Sequence, residues 1–326
     1  MKRRRIGNLE VSEIGYGCMG LSQGFGPETA PGEAVRLLRE TFELGYTFFD
    51  TAEAYGNGQN EELIHVALHS VRDKVELATK LVPPETPADD LHKEIETHLD
   101  ASLNRLGTDR IDLYYLHYIP DWLNVEEAAD CMGRMIRKGK ILGWGMCQCS
   151  EQQVRSAHAI APLTAVQGEF SIMARMFEKD VLPACEELGI GFVAFSPLAK
   201  GFLSGGTKAD AEYTGFDFRR VLTRFSKENV IANQPLIDLL QKYAAAKGAT
   251  PAQISLAWIL RKKPFLVPIP GARGVERIKE NRDAAQIVLT DDEYAGLETE
   301  LAKIKIYGDR SVADLAKIYE LDDIPS

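Results

Sequence analysis

The sequence lacks what a membrane span, a disulfide framework or a nucleic-acid surface needs. No apolar run approaches the ~18 residues of a spanning helix. Cysteine is scarce and odd in number, with five residues (Cys18, Cys131, Cys147, Cys149 and Cys185) in a chain of 326. Without a secretory signal, reduced thiols in a cytoplasm are expected. Positive charge is in deficit, with 38 Lys and Arg against 48 Asp and Glu and a formal net charge of −10. Such a surface suits neither nucleic acid nor an anionic membrane, although a small anionic ligand feels only the few cations beside it. Met1-Lys2-Arg3-Arg4-Arg5 has the charge of a signal n-region, but Gly7-Asn8 follows in place of an apolar segment. That dipeptide reads as the turn of a hairpin between Arg4-Ile6 and Leu9-Val11. Metal-ligand spacing is missing too. Cys147 and Cys149, two apart on one strand and so on one face, have no further ligands nearby, and His65 and His69 lack the Glu of H-E-x-x-H. No metal is expected.

What remains is an alternation of short β-like runs and amphipathic helices. The β runs are Ile14-Gly17, Thr47-Asp50, Val75-Thr79, Ile111-Leu116, Ile141-Cys147, Thr164-Glu169, Gly191-Ser196 and Phe265-Ile269. Between them lie Ala34-Leu44, Glu61-Val71, Asp89-Leu106, Val125-Arg137, Glu151-Ile160 and Asp180-Leu188. Ser150 with Gln153 and Thr290 with Glu293 have capping-box spacing. Thr250-Pro251 places a cap before a first-turn proline, and Gly45, Gly107, Gly139 and Gly189 end helices just before strands. Eight regular units without a composition break predict an α/β fold, a (β/α)8 TIM barrel spanning 1–326 as one domain. The N-terminal hairpin precedes it, and extra C-terminal helices over Asp291-Lys305 and Val312-Tyr319 follow. The long interruptions at Leu21-Pro31, Tyr118-Asn124 and Lys200-Asn233 all follow strands at the barrel's catalytic end.

Gly15-Tyr16-Gly17-Cys18-Met19-Gly20 matches G-x-G-x-x-G, but loop residues follow where a dinucleotide fingerprint needs a helix. These glycines are expected to let a strand and its loop approach a ligand. The chemistry lies at other strand ends: Asp50 after strand 2 with Tyr55 beyond it, Lys80 after strand 3, and His117 after strand 4. Singly, such residues serve as a loop cap, a solvated cation and a packed imidazole. Together they make one device. A phenol is a poor acid at neutral pH, and a cation held close by a carboxylate should lower its pKa. His117 adds a second donor for a carbonyl oxygen, so the set suits reduction of an aldehyde or ketone. The hydride must come from a nicotinamide cofactor. Gln167 could meet its carboxamide, Phe195 could stack on its ring, and the turn Pro270-Gly271-Ala272-Arg273-Gly274 opening a helix with Arg277 suits a phosphate. A phosphate on the ribose would mean NADP(H) in preference to NAD(H).

The stretches "FFDTAEAYGNGQNEELI", "ELATK", "IDLYYLH", "AVQGEFSIMAR", "FVAFSPLAKGFLSG" and "PIPGARGVERIKEN" resemble the aldo-keto reductase family over nearly the whole chain. The resemblance implies an NADPH-dependent reductase of small carbonyl compounds with Asp50, Tyr55, Lys80 and His117 as its tetrad and Tyr55 as general acid. It puts Gln167 on the carboxamide, Phe195 on the ring, and Ser196, Leu198, Lys200 and Gly201 near the pyrophosphate. Ala272, Arg273 and Arg277 would hold the 2′-phosphate, and Glu280 and Asn281 the adenine. Cys147 and Gln148 are placed at the strand 5 contact to the nicotinamide, where family members usually carry Ser-Asn; here a thiol replaces the hydroxyl and the amide is longer. Retention of His117 implies carbonyl reduction in preference to reduction of a conjugated double bond.

Phe25, Tyr118 and Trp122, with Tyr213, Phe216 and Phe218, supply aromatic surface in the long loops and are candidates to line a pocket for aromatic or apolar carbonyl substrates. Two rival readings stand beside the reductase. One is a cofactor-binding regulatory subunit resembling potassium-channel β subunits; the other is a Schiff-base aldolase using Lys80. Nothing in the sequence assigns an oligomeric state.

Overall fold

Strand β1 (Arg3–Ile6) pairs antiparallel with β2 (Leu9–Ser12) across Gly7-Asn8, forming the hairpin that the turn dipeptide predicts. Then come β3 (Tyr16–Gly17), β4 (Phe48–Asp50), β5 (Glu76–Leu81), β6 (Leu113–Leu116), β7 (Trp144–Cys147), β8 (Ala165–Glu169), β9 (Gly191–Phe195) and β10 (Leu266–Pro268). These eight pair in chain order as one parallel sheet. The Gly15 N–H donates to Pro268 O at 2.9 Å, which returns the last strand to the first. Helices fill every crossover, from Pro31–Glu43 after β3 to Pro251–Lys262 before β10, giving a (β/α)8 barrel. The computed structural model describes residues 1–310. No helix among them is long and apolar enough to cross a membrane.

The local signals act as physics requires. Ser150, Thr250 and Thr290 each close a full capping box, and Gly107 and Gly189 end their helices with φ of 59° and 70°. The last described helix is shorter than expected, Asp291–Leu301. Ile304 and Ile306 both pack against the core, and a spacing of two cannot be presented to one side of a helix. The helix expected over Val312–Tyr319 lies outside the described residues.

Two apolar clusters divide the molecule. The larger packs helices against the outside of the sheet, and the smaller fills the barrel with Phe48, Ala78, Leu113, Ala165, Val193 and Val267 above Ile6, Leu9 and Val11 of the hairpin. Ile6 seals the floor against Gly191, where any Cβ would lie 2.3 Å from the Ile6 Cβ. Side chains alternate along a strand, so two residues further on each strand points inward again. That upper layer is Asp50, Lys80, Tyr115, Cys147, Gln167 and Phe195. The barrel is therefore apolar below and polar at its C-terminal mouth.

The glycines of the G-x-G-x-x-G match serve this closure. A Cβ on Gly17 would stand 2.7 Å from Ile269 O, and one on Gly15 would meet Phe48 at 2.6 Å. What they allow to approach is chiefly the neighbouring strands, although Gly17 and Gly20 also border the cavity described next.

Candidate active site

Tyr55 opens a tight turn after β4, in which Gly56 and Asn57 take left-handed φ of 57° and 56°. Asn is among the few non-glycine residues that accept this conformation. The turn is tied down where Gln23 Oε1 accepts the Gly56 N–H at 3.0 Å. Beneath it, Lys80 is fully buried and donates to Asp50 Oδ1 at 2.5 Å and Thr51 O at 2.6 Å. Its third donor faces the Tyr55 hydroxyl at 3.5 Å. The other Asp50 oxygen accepts from Gln167 Nε2 at 2.7 Å. His117 stands edge-on to Tyr55 with ring centroids 5.7 Å apart, and its buried Nδ1 has no hydrogen-bond partner among the described residues. Chain segments separated by up to 117 residues thus meet at one carboxylate.

Burial dominates the electrostatics. It pushes the Tyr55 phenol up to about 12, with Lys80 pulling the other way. The sequence-based expectation of a lowered phenol is therefore overturned: the hydroxyl faces Lys80, but losing water costs the phenolate more than one ammonium returns. Burial also raises Asp50 against the opposing pull of Lys80 and Gln167. For Lys80, burial favours the neutral amine, yet the Asp50 carboxylate outweighs it together with smaller contributions, and the group is raised. Burial, then Lys80, drives His117 down to about 3. The site thus holds a protonated phenol, a neutral imidazole and a locked ion pair. A buried, charged Lys80 with all its donors directed at oxygens is no free amine, which argues against the Schiff-base reading.

Above the tetrad opens a cavity of about 530 Å³. Asp50, Tyr55, His117, Cys147, Gln148, Gln167, Phe195, Ser196, Leu198, Lys200, Gly201, Ala272, Arg273 and Phe25 all border it. Backbone strain gathers at its border: Gln148, Ser196 and Lys200, with Ala199 beside them, have φ of 53°, 48°, 57° and 49°. Left-handed backbone at non-glycine residues costs of order 1 kcal/mol each and concentrates where a ligand is gripped. Within the turn at 196–201 the Ala199 N–H donates to Ser196 O at 2.8 Å and the Gly201 N–H to Leu198 O at 3.0 Å, which fixes its shape. Also at the cavity border, Arg273 donates to Phe25 O and Pro27 O, both at 2.6 Å.

Several expected residues stand elsewhere. Tyr118 and Trp122 do not border the cavity. Their polar atoms donate to Pro83 O and Pro84 O at 2.8 and 3.2 Å, pinning the loop after β5. Arg277, Glu280 and Asn281 are also outside its lining. Arg277 is paired with Glu280 at 2.6 Å with its side chain 67% exposed, and Asn281 is buried. Phe25 does border it, packed against Phe218 at 6.4 Å, with its carbonyl accepting from Arg273. Phe216 packs on Phe218, and Tyr213 on Phe225. Cys147 and Cys149 do not share a face. Left-handed Gln148 breaks the alternation, sending Cys147 into the barrel cluster and Cys149 into the outer one. His65 and His69 touch edge to edge, with His65 Nδ1 3.1 Å from Leu106 O. Sequence reasoning missed Gln23, Glu169 and Arg310. Glu169 is buried at the cavity between Lys200 at 3.4 Å and Arg310 at 2.7 Å. Its place two residues beyond Gln167 was the available signal; Arg310 carried none.

The sequence and the barrel as a whole have counterparts among known proteins. The sequence profile described as the aldo/keto reductase family matches residues 13–301. The chain belongs to that family. This aldo/keto reductase is 38% identical over 299 residues to the aldo-keto reductase yakc [NADP(+)] of Schizosaccharomyces pombe, with 88% of each chain covered. Among solved structures it resembles the glycerol dehydrogenase of Gluconobacter oxydans at TM-score 0.83 and 26% identity, covering 95% of this chain and 98% of that one. An aldo-keto reductase from Klebsiella pneumoniae in complex with NADPH superposes with TM-score 0.72 at 28% identity, covering 91% and 94%. The reductase fold and an oxidoreductase activity follow from this membership.

Proposed function

We propose that this aldo/keto reductase is an NADPH-dependent carbonyl reductase that converts small aldehydes or ketones to alcohols. The observation that carries the reading is the Tyr55 hydroxyl, kept protonated by burial and facing Lys80 at 3.5 Å with His117 at its side. When bound, NADP(H) supplies the hydride. The chain's own groups do the rest. The Tyr55 O–H and a His117 N–H converge on the substrate oxygen, and Tyr55 delivers its proton as negative charge develops there. The charged Lys80 beneath then stabilises the phenolate left behind, which is where its attraction is largest. Asp50 keeps Lys80 charged and aimed.

The residues present fit that cofactor. Ser196, Leu198, Lys200 and Gly201 border the cavity where a pyrophosphate would be held, Phe195 stands at its wall for the ring, and Arg273 offers a guanidinium. A dianionic phosphate would compete well for Arg273, because charge-assisted hydrogen bonds are roughly twice as strong as those to neutral carbonyls. The NADP(+) in the fission-yeast relative's name and the NADPH in the Klebsiella complex support the same choice.

Arg273→Ala should weaken NADPH at least tenfold and NADH far less, read by fluorescence titration with each nucleotide. Arg277→Ala, outside the cavity, should have the smaller effect. Equal weakening of both nucleotides by Arg273→Ala would remove the case for 2′-phosphate recognition. The assay of NADPH absorbance against a panel of aldehydes, ketones and dicarbonyls tests the activity itself. Absence of turnover with the whole panel would favour a binding role for the barrel.

The pH dependence follows from the two shifts. With Tyr55 at about 12, its proton is retained through the working range, so kcat for reduction should not fall through the phenol between about pH 6 and 10. A kcat decline centred near pH 8 in Tyr55's ionisation would contradict the burial described here. His117 is depressed from its ordinary 6.5 to about 3, so its contribution to stability is present above 6.5 and lost as pH falls toward 3. Melting temperature against pH should show less of this acid loss in His117→Gln than in the parent.

A further inference from the structure

Family resemblance gives Gln167 one task, pairing with a carboxamide. In this structure its amide is already engaged. Nε2 lies 2.7 Å from Asp50 Oδ2, both side chains are buried, and Lys80 holds the other carboxylate oxygen at 2.5 Å. A carboxylate paired with an ammonium can only accept, so the NH₂ end of the amide must face Asp50. The Gln167 oxygen is then the end left for the cavity that the residue borders. The backbone is anchored too, since the Gln148 N–H donates to Gln167 O at 2.9 Å from the strained residue beside it.

Gln167 → Asp50 → Lys80 → Tyr55 is thus one chain of contacts from the cofactor wall to the proton donor. We infer that Gln167 is a positioning residue of the acid–base set, holding Asp50, and through it Lys80, in place while presenting its oxygen to the nicotinamide carboxamide. Asp50 needs such a partner. Lys80 has three donors and gives one each to Asp50, Thr51 O and the Tyr55 side, so it can satisfy only one Asp50 oxygen. An unpaired second oxygen would be free to rotate the carboxylate and draw the ammonium off the Tyr55 hydroxyl. The inference rests on the carbonyl-reductase reading and adds to it a physical link between cofactor binding and proton transfer.

Gln167→Glu separates the two tasks, because it keeps an acceptor for the carboxamide and loses the donor to Asp50. With 4-nitrobenzaldehyde and NADPH, it should lower kcat at neutral pH by about ten- to hundredfold, the worth of one hydrogen bond to a charged group. The NADPH dissociation constant, read by fluorescence, should change much less. The introduced carboxyl lies against a like charge in a buried site, so its own pKa is raised. As pH falls and it takes a proton, it regains a donor for Asp50, and kcat should recover toward the parent value. Gln167→Met, with neither donor nor acceptor, should lose kcat at every pH and weaken NADPH as well. It serves as the readout if Gln167→Glu is poorly folded.

If Gln167→Glu keeps the parent kcat and pH profile, or if Gln167→Met raises only the NADPH dissociation constant, Gln167 binds the carboxamide and nothing more. A Gln167→Glu loss with no acid recovery would equally overturn the positioning role. Tyr55→Phe run alongside distinguishes the two readings. Parent-level turnover in that variant overturns the carbonyl-reductase reading and this inference together, whereas an inactive Tyr55→Phe beside a parent-like Gln167→Glu removes the inference alone.

Discussion

Tyr55→Phe should lose reduction of aldehydes by about 10²- to 10⁴-fold, the range over which a positioned general acid acts, while binding NADPH as the parent does. The substitution removes one oxygen and leaves the ring in its buried place against His117. No other group above Lys80 is built to give up a proton there. His117 is neutral, with a protonation that burial disfavours down to about 3, so it can donate a hydrogen bond but does not replace the acid. The check is single-turnover NADPH oxidation with a saturating aldehyde, together with a fluorescence titration of the nucleotide. Parent-level single turnover in Tyr55→Phe would place the proton donor elsewhere.

Lys80→Met should cost both activity and stability. The Lys80–Asp50 pair is buried, and removing one partner of such a pair leaves an uncompensated charge worth about 3–5 kcal/mol of folding free energy. Asp50 would keep only Gln167 as its donor. Its carboxyl, already raised by burial, would rise further without Lys80. A raised folded-state pKa gives stability that is present at low pH and lost as pH climbs through it, so the variant should be least deficient in acid. Lys80→Met with Asp50→Leu should recover most of the lost stability, because a well-packed apolar pair avoids both desolvation costs. It should recover no turnover. Denaturant midpoints for the two single variants and the double variant decide this. If Lys80→Met alone were as stable as the parent at neutral pH, the buried pair described here would not exist in solution.

Most of the barrel is legible along the chain. Strand ends are readable because a buried run stops where a polar residue meets a loop, as at Asp50, Lys80 and His117, and helix ends because caps are local chemistry within three or four residues. The hairpin, the capping boxes and the eight-unit alternation all rest on such short-range rules. Errors began where a side chain's neighbour lies far away in sequence. Tyr118 and Trp122 read as pocket aromatics by loop position, but proline carbonyls in the loop after β5 capture their donors. Cys149 left the face of Cys147 because Gln148 adopts a conformation that no alternation rule anticipates. Arg277 and Arg273 are four residues apart, yet only Arg273, in the turn before the helix, reaches across to the loop after β3 and borders the cavity.

Residue identity and order determined which groups stand at the barrel mouth: an acid, a phenol, a lysine and an imidazole on successive strand ends of a family member. Period-two alternation and the parallel order of strands turn Asp50 and Lys80 inward at that mouth, and the turn after β4 brings Tyr55 over them. The tertiary structure alone decided how those groups are charged and who holds whom. Desolvation depends on the density of atoms packed around a group, so the phenol's rise to about 12 could not be read from its neighbours in the chain. The contact between Gln167 and Asp50 spans 117 residues and exists only because the sheet closes on itself.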